Sequence, residues 1–211
     1  MKILLLISFM ALVSQTAYPQ ETSLFKKMRN LSRPEKCWVL KHPFIAKKAW
    51  NCAQASKLVC DSLIKNNCLD SDANGGEIDA IRHGYWMALL ARETSKRKAV
   101  QLGKAHEKGN YLSFKKHQTE DGTLPDKISS EMDLWNNEIG ARIGEKNKDR
   151  PSNELKLIIL NEIELTGSFK IIKKNKKGEF LDCEGKIINS ELIKGKWENN
   201  KCLVNSNYER E

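Results

Sequence analysis

The residues with chemical promise in this chain are ionisable and amide side chains on helix faces that ought to be apolar. Asp79 and His83 are four apart and share one face, which Trp86 continues and Arg82 flanks. Further on, Ala99, Leu102, Gly103 and His106 fall on one stripe, so His106 points where a leucine is expected. Glu107 is turned about 100° away. In a third segment Met132, Trp135, Asn136, Ile139 and Ile143 form an inner stripe, with Asp133 and Asn137 along its edge beside Gly140. Two histidines with carboxylates suit a divalent metal that keeps a position open for water, and such a metal makes that water acidic enough for hydrolysis. In that reading His83, His106 and Asp133 hold the metal, and Asp79 joins them or fixes the His83 tautomer from behind. His106, Glu107 and Asp133 are the catalytic candidates, with Glu107 as general base. Asn136, Asn137, Arg82 and Trp86 would bind substrate. The same residues could work without metal, a histidine acting as base beside a carboxylate. They could also be mutually satisfied buried groups that fix helix register, with Asp133 a first-turn acid favoured by the helix dipole.

The elements that must position these groups are mainly helical. Helices are expected at 21–31, 44–65, 77–94, 95–108, from Ser129 or Ser130 to about 146, and at 153–165. Arg33-Pro34 reads as a break after the first. Segment 77–94 is apolar on more than one side and is expected to be the central, buried helix. The long polar stretch 109–127 reads as a loop. From Gly167 the segments FKIIKK, GEFLDC, KIINSEL and WENNKCLV alternate between Asn/Gly turns and predict a small antiparallel meander. The expected class is therefore mainly α, a bundle-like helical domain at 21–166 with a β appendage at 167–211. Asp70-Ser71-Asp72-Ala73-Asn74-Gly75 matches the first half of a calcium loop, but its twelfth position is Ile81 where a bidentate acid belongs. The favoured reading is an Asx-capped turn.

The blocks DAIRHGYW (79–86), AHEKGN (105–110) and MDLWNN (132–137) resemble the signature blocks of an uncharacterised bacterial family found in secreted proteins of Bacteroidota and in some polymorphic toxins. The resemblance covers about residues 70–145. It implies that the pocket residues belong together as a set and supplies no substrate. The toxin association points toward a hydrolase by association alone.

Met1-Lys2, an apolar run from Ile3 to Val13 and the small polar stretch to Gln20 make the pattern of a cleavable secretory leader at 1–20, which predicts a secreted or periplasmic protein. All six cysteines follow the leader, an even number suited to disulfides. Cys52 and Cys60 lie about 12 Å apart on one helix, beyond the reach of about 7 Å between Cα atoms. Cys37–Cys52, Cys60–Cys68 and Cys183–Cys202 are the expected bridges, the last closing a loop worth roughly 3 kcal/mol. The formal charge of +9 mixes 36 basic with 27 acidic residues, so it describes a solvated basic surface. It comes with no nucleic-acid motif. No segment after the leader is long and apolar enough to span a membrane, and a monomer is expected. Three functions fit: a metal-dependent hydrolase, a non-catalytic exported binding module, or a toxin-like effector.

Overall fold

The computed structural model describes residues 29–119 and 122–209, and from Leu31 onward the chain forms one compact unit. The expected leader and most of the expected 21–31 helix lie outside the described residues. The architecture is mainly α with a small antiparallel sheet near the C-terminus. No helix among the described residues is long and apolar enough to cross a membrane.

Helix α1 (Arg33–Lys41) occupies a stretch that the sequence reads as a break. Pro34 stands in its first turn, where a missing N–H costs nothing. Ser32 and Glu35 close a capping box, the Ser32 N–H donating to Glu35 Oε2 at 2.8 Å and the Glu35 N–H to Ser32 Oγ at 3.4 Å. After His42, α2 (Pro43–Lys65) begins directly.

α3 (Glu77–Glu93) is the central helix. Ile81, Ala80, Met87, Ala88, Leu90 and Ala91 are wholly buried, and α2, α4 (Lys96–Phe114), α5 (Lys127–Lys146) and α6 (Ser152–Asn161) all pack on it. The α3–α5 pair is the most extensive, because glycines let the backbones meet. A Cβ at Gly140 would stand 2.7 Å from the Gly84 Cα and carbonyl carbon, and one at Gly144 equally close to Ala88.

Two boundaries differ from expectation. α4 runs through Gly109 to Phe114, since Gly109 is a site of close approach for Ser32 of the α1 cap and not a helix end. α5 starts earlier, at the N-cap Asp126, whose Oδ1 accepts the Ser129 N–H at 2.9 Å while Ser129 Oγ accepts the Asp126 N–H. Asp133 is thus one full turn inside the helix, beyond the first turn where the dipole acts.

α6 continues as a π turn, Glu162–Thr166, and stops at Gly167 with φ 64°. Strand β1 (Lys170–Ile172) pairs antiparallel with β2 (Leu203–Asn205). Between them lie only single bridges, Lys174 to Phe180 and Leu181 to Ile187, and a one-turn helix α7 (Ser190–Ile193). Phe169, Ile171 and Ile172 are buried, so the appendage contributes to the same core as the helices.

Cys183–Cys202 is the disulfide of the described residues, with Cα atoms 5.0 Å apart. The expected Cys37–Cys52 and Cys60–Cys68 bridges are not formed; all four are free thiols. Cys37 sits on the outer face of α1 where extended chain was expected, while Cys52 points into the core. Cys60 Sγ faces the Ile78 carbonyl, and Cys68 Sγ turns back to that of Asn66.

Candidate metal centre

The α3–α5 contact brings three of the sequence candidates together. Asp79, His83 and Asp133 are all buried, and each offers one ligand atom within 4.8 Å of the others. His83 Nε2 lies 3.6 Å from Asp79 Oδ1 and 3.4 Å from Asp133 Oδ1. On the other side of the ring, His83 Nδ1 meets Asn137 Oδ1 at 3.3 Å. An amide oxygen only accepts, so in this contact His83 Nδ1 is the donor. Nε2 then faces two carboxylates, with a lone pair in the neutral ring or a proton in the imidazolium. Three electron-rich atoms in a buried space repel unless a cation, metal ion or proton, lies among them.

Two carboxylates with one imidazole form a ligand set for a first-row divalent cation and leave coordination positions for water or substrate. Asp79 is held from two further sides: Gly75 N–H donates to Oδ2 at 2.8 Å and Arg82 Nη2 to Oδ1 at 2.5 Å. Burial pushes its carboxyl above the usual carboxylate range, although Arg82 and the Gly75 N–H pull the other way. The calcium-like loop is an Asx-capped turn, with Asp70 Oδ1 and Asp72 Oδ1 accepting the Asp72 and Asn74 N–H groups.

The remaining candidates divide. His106 does not join the ligand group. Its Nδ1 is 2.9 Å from Glu35 Oε1, and its ring sits 6.0 Å from the His83 ring and edge-on to Trp86 at 5.4 Å. Burial would raise the Glu35 carboxyl, but its hydrogen bond and charge contact with His106 prevail and hold it below its ordinary value. Glu107 is buried on the α5 side, where its Oε2 accepts from Ser130 Oγ at 2.9 Å and Asn110 Nδ2 at 3.3 Å. Ser130, Asp133 and Asn137 share one α5 face, so Asp133 stands between the group that holds Glu107 and the group that holds His83.

Asn136 bonds to the sheet. Its Nδ2 donates to the Lys170 carbonyl at 2.9 Å and its Oδ1 accepts the Lys170 N–H at 2.8 Å, which stitches α5 to β1. Asn137 Nδ2 and Trp86 Nε1 are buried atoms with no hydrogen-bond partner among the described residues.

Sequence reasoning missed Glu35, Ser130 and Asn110. A signal for Glu35 existed: Ser32-Arg33-Pro34-Glu35 is a capping-box pattern, which predicts a helix start and places the carboxylate at its mouth.

No curated protein and no solved structure matches the chain. A family model described as "Domain of unknown function (DUF6973)" matches residues 36–166, which include all three sequence blocks and the Asp79, His83 and Asp133 group, and end before β1. The chain belongs to that family of domains of unknown function.

Proposed function

We propose that Asp79, His83 and Asp133 hold a divalent cation and that the domain is a metal-dependent hydrolase exported from the cytoplasm. The observation that carries this reading is the buried convergence of two carboxylates on Nε2 of one imidazole. A cation there would lower the pKa of a bound water toward neutrality and polarise a substrate oxygen. Glu107 and His106 flank the group and are the candidates for moving protons, while Arg82 and Trp86 stand at its partly exposed edge and Asn137 orients His83. Export is supported by the leader pattern and by the Cys183–Cys202 disulfide, which suits an oxidising compartment.

One observation favours a second reading, an exported binding module. Arg82 already neutralises Asp79, so the three residues could be a buried ion-pair network that only fixes the α3–α5 crossing. Elemental analysis of the purified mature chain separates the two. The hydrolase reading expects about one transition metal per chain, reduced several-fold in Asp133→Asn, because binding free energy at such a site is lost with a ligand. A folded, metal-free chain that gains no thermal stability from Zn²⁺ or Mn²⁺ would support the binding module.

A further inference from the structure

The appendage that lies beyond the family match reaches the N-terminal ends of both site helices with a buried lysine. Lys174 Nζ pairs with Asp72 Oδ2 at 2.5 Å and donates to the Asn74 carbonyl at 2.9 Å. Those two residues belong to the turn that leads into α3. The Asp72 carbonyl accepts the Asp79 N–H, and Gly75 N–H holds the Asp79 carboxylate. The ammonium group therefore organises, from inside, the loop that the sequence likens to a calcium site.

Lys201 Nζ pairs with Asp126 Oδ2 at 2.6 Å, and Asp126 is the N-cap of α5. The next backbone donor of that helix, Lys127 N–H, is taken by the Trp197 carbonyl at 2.9 Å. The Lys174, Lys201 and Asp126 side chains are at most 10% exposed. Both lysines also sit on the ring of Phe180, at 4.8 Å and 4.1 Å from its centroid. The disulfide joins Cys202, next to Lys201, to Cys183, three residues beyond Phe180.

Buried ion pairs rarely add stability over an apolar replacement, and their better-attested use is to fix one arrangement. Here the two pairs fix the starts of the helices that carry Asp79 and His83 on one side and Asp133 on the other. We infer that Lys174 and Lys201, joined through Phe180 and fastened by Cys183–Cys202, are positioning residues that set the spacing of the Asp79, His83 and Asp133 group. This rests on the metal reading, and it makes the appendage a working part of the site although it lies outside the family domain.

The test uses the oxidised mature chain, with Co²⁺ as the probe and its visible absorption bands as the readout. Lys174→Met, Lys201→Met and the pair Lys201→Met with Asp126→Asn are compared, the last keeping a good N-cap so that folding is preserved. Folded variants are expected to bind Co²⁺ at least threefold more weakly and with altered bands, while Lys201→Arg stays close to the unaltered chain. Affinity within threefold and unchanged bands in all three variants would overturn the inference. If the unaltered chain takes up no Co²⁺, the metal reading itself fails, and hydrogen exchange decides the clamp. Amides at 77–83 and 127–133 should then exchange at least threefold faster in the variants, and unchanged exchange overturns it.

Discussion

Gly140→Ala tests the contact on which the site depends. The new Cβ would stand 2.7 Å from the Gly84 Cα and carbonyl carbon, where ordinary contact begins at 3.4 Å, and it would overlap the Gly84 carbonyl oxygen more deeply still. Both partners are helix backbone, so no side chain can swing aside. The helices must part by at least roughly 0.7 Å, which a close-packed interior resists. Overpacking of this kind costs about 3 kcal/mol. The better helix propensity of alanine returns about 1 kcal/mol. The net loss of about 2 kcal/mol corresponds to a melting point lower by roughly 4–8 °C for a domain of this size. Asp133 lies seven residues before Gly140, about 10 Å along the axis, so the same displacement carries it away from His83. Differential scanning calorimetry of the purified protein, followed by Zn²⁺ titration, reads both effects. Unchanged melting and unchanged Zn²⁺ affinity in Gly140→Ala would refute the close α3–α5 approach.

Other outcomes follow from the same geometry. Iodoacetamide at pH 8 should label Cys37 and Cys68 in the native chain within minutes and spare Cys52 and Cys60. Burial pushes those two thiols up to about 11 and about 12, and mass mapping checks the pattern. Glu35 is held below its ordinary 4.5, so its contribution to stability is complete above that value and is lost as pH falls through the depressed one. Glu35→Gln should therefore lower the urea midpoint at pH 6, and the difference should shrink as pH falls below 4.5; a difference constant from pH 6 to pH 3 would contradict the pairing with His106. Asn136→Ala leaves the Lys170 N–H and carbonyl without their partner and should cost about 2–4 kcal/mol, read by denaturant unfolding, with Zn²⁺ affinity changing less than in Asp133→Asn.

The sequence made the centre of the fold legible and its edges less so. Segment 77–94 is apolar on more than one side, and α3 is for that reason the most buried helix, with Arg82, Trp86, Arg92 and Glu93 left toward its exposed edge. Asp79, His83 and Asp133 could be picked out because a charged residue on a buried face must be explained. Their convergence with one another, and not with His106, was hidden in tertiary distances. His106 turns to Glu35 because α1 folds against α4, and α1 itself is masked by a proline that looks like a breaker and works as a first-turn residue. Asn136 and Asn137 are neighbours with equal claims in sequence. A rotation of about 100° sends one to β1 and the other to His83. The cysteine pairing was readable in the appendage, where the Cys202 N–H reaches the Leu181 carbonyl two residues before Cys183. It was unreadable around α2, because Cys37 stands on a helix where extended chain was expected, and Cys68, though just past the end of α2, turns its Sγ to the Asn66 carbonyl while Cys60 faces that of Ile78. Lys174 and Lys201 look like two solvated lysines among 36 basic residues, and only the fold shows that each is buried against a helix start.

The most direct measurement is an anomalous difference map from crystals of the protein grown with Mn²⁺ or Zn²⁺. The expected result is one strong peak about 2.0–2.2 Å from His83 Nε2 and from an oxygen of each of Asp79 and Asp133. Crystals that show these three side chains in place with no peak among them, or a peak only elsewhere, would contradict the metal centre.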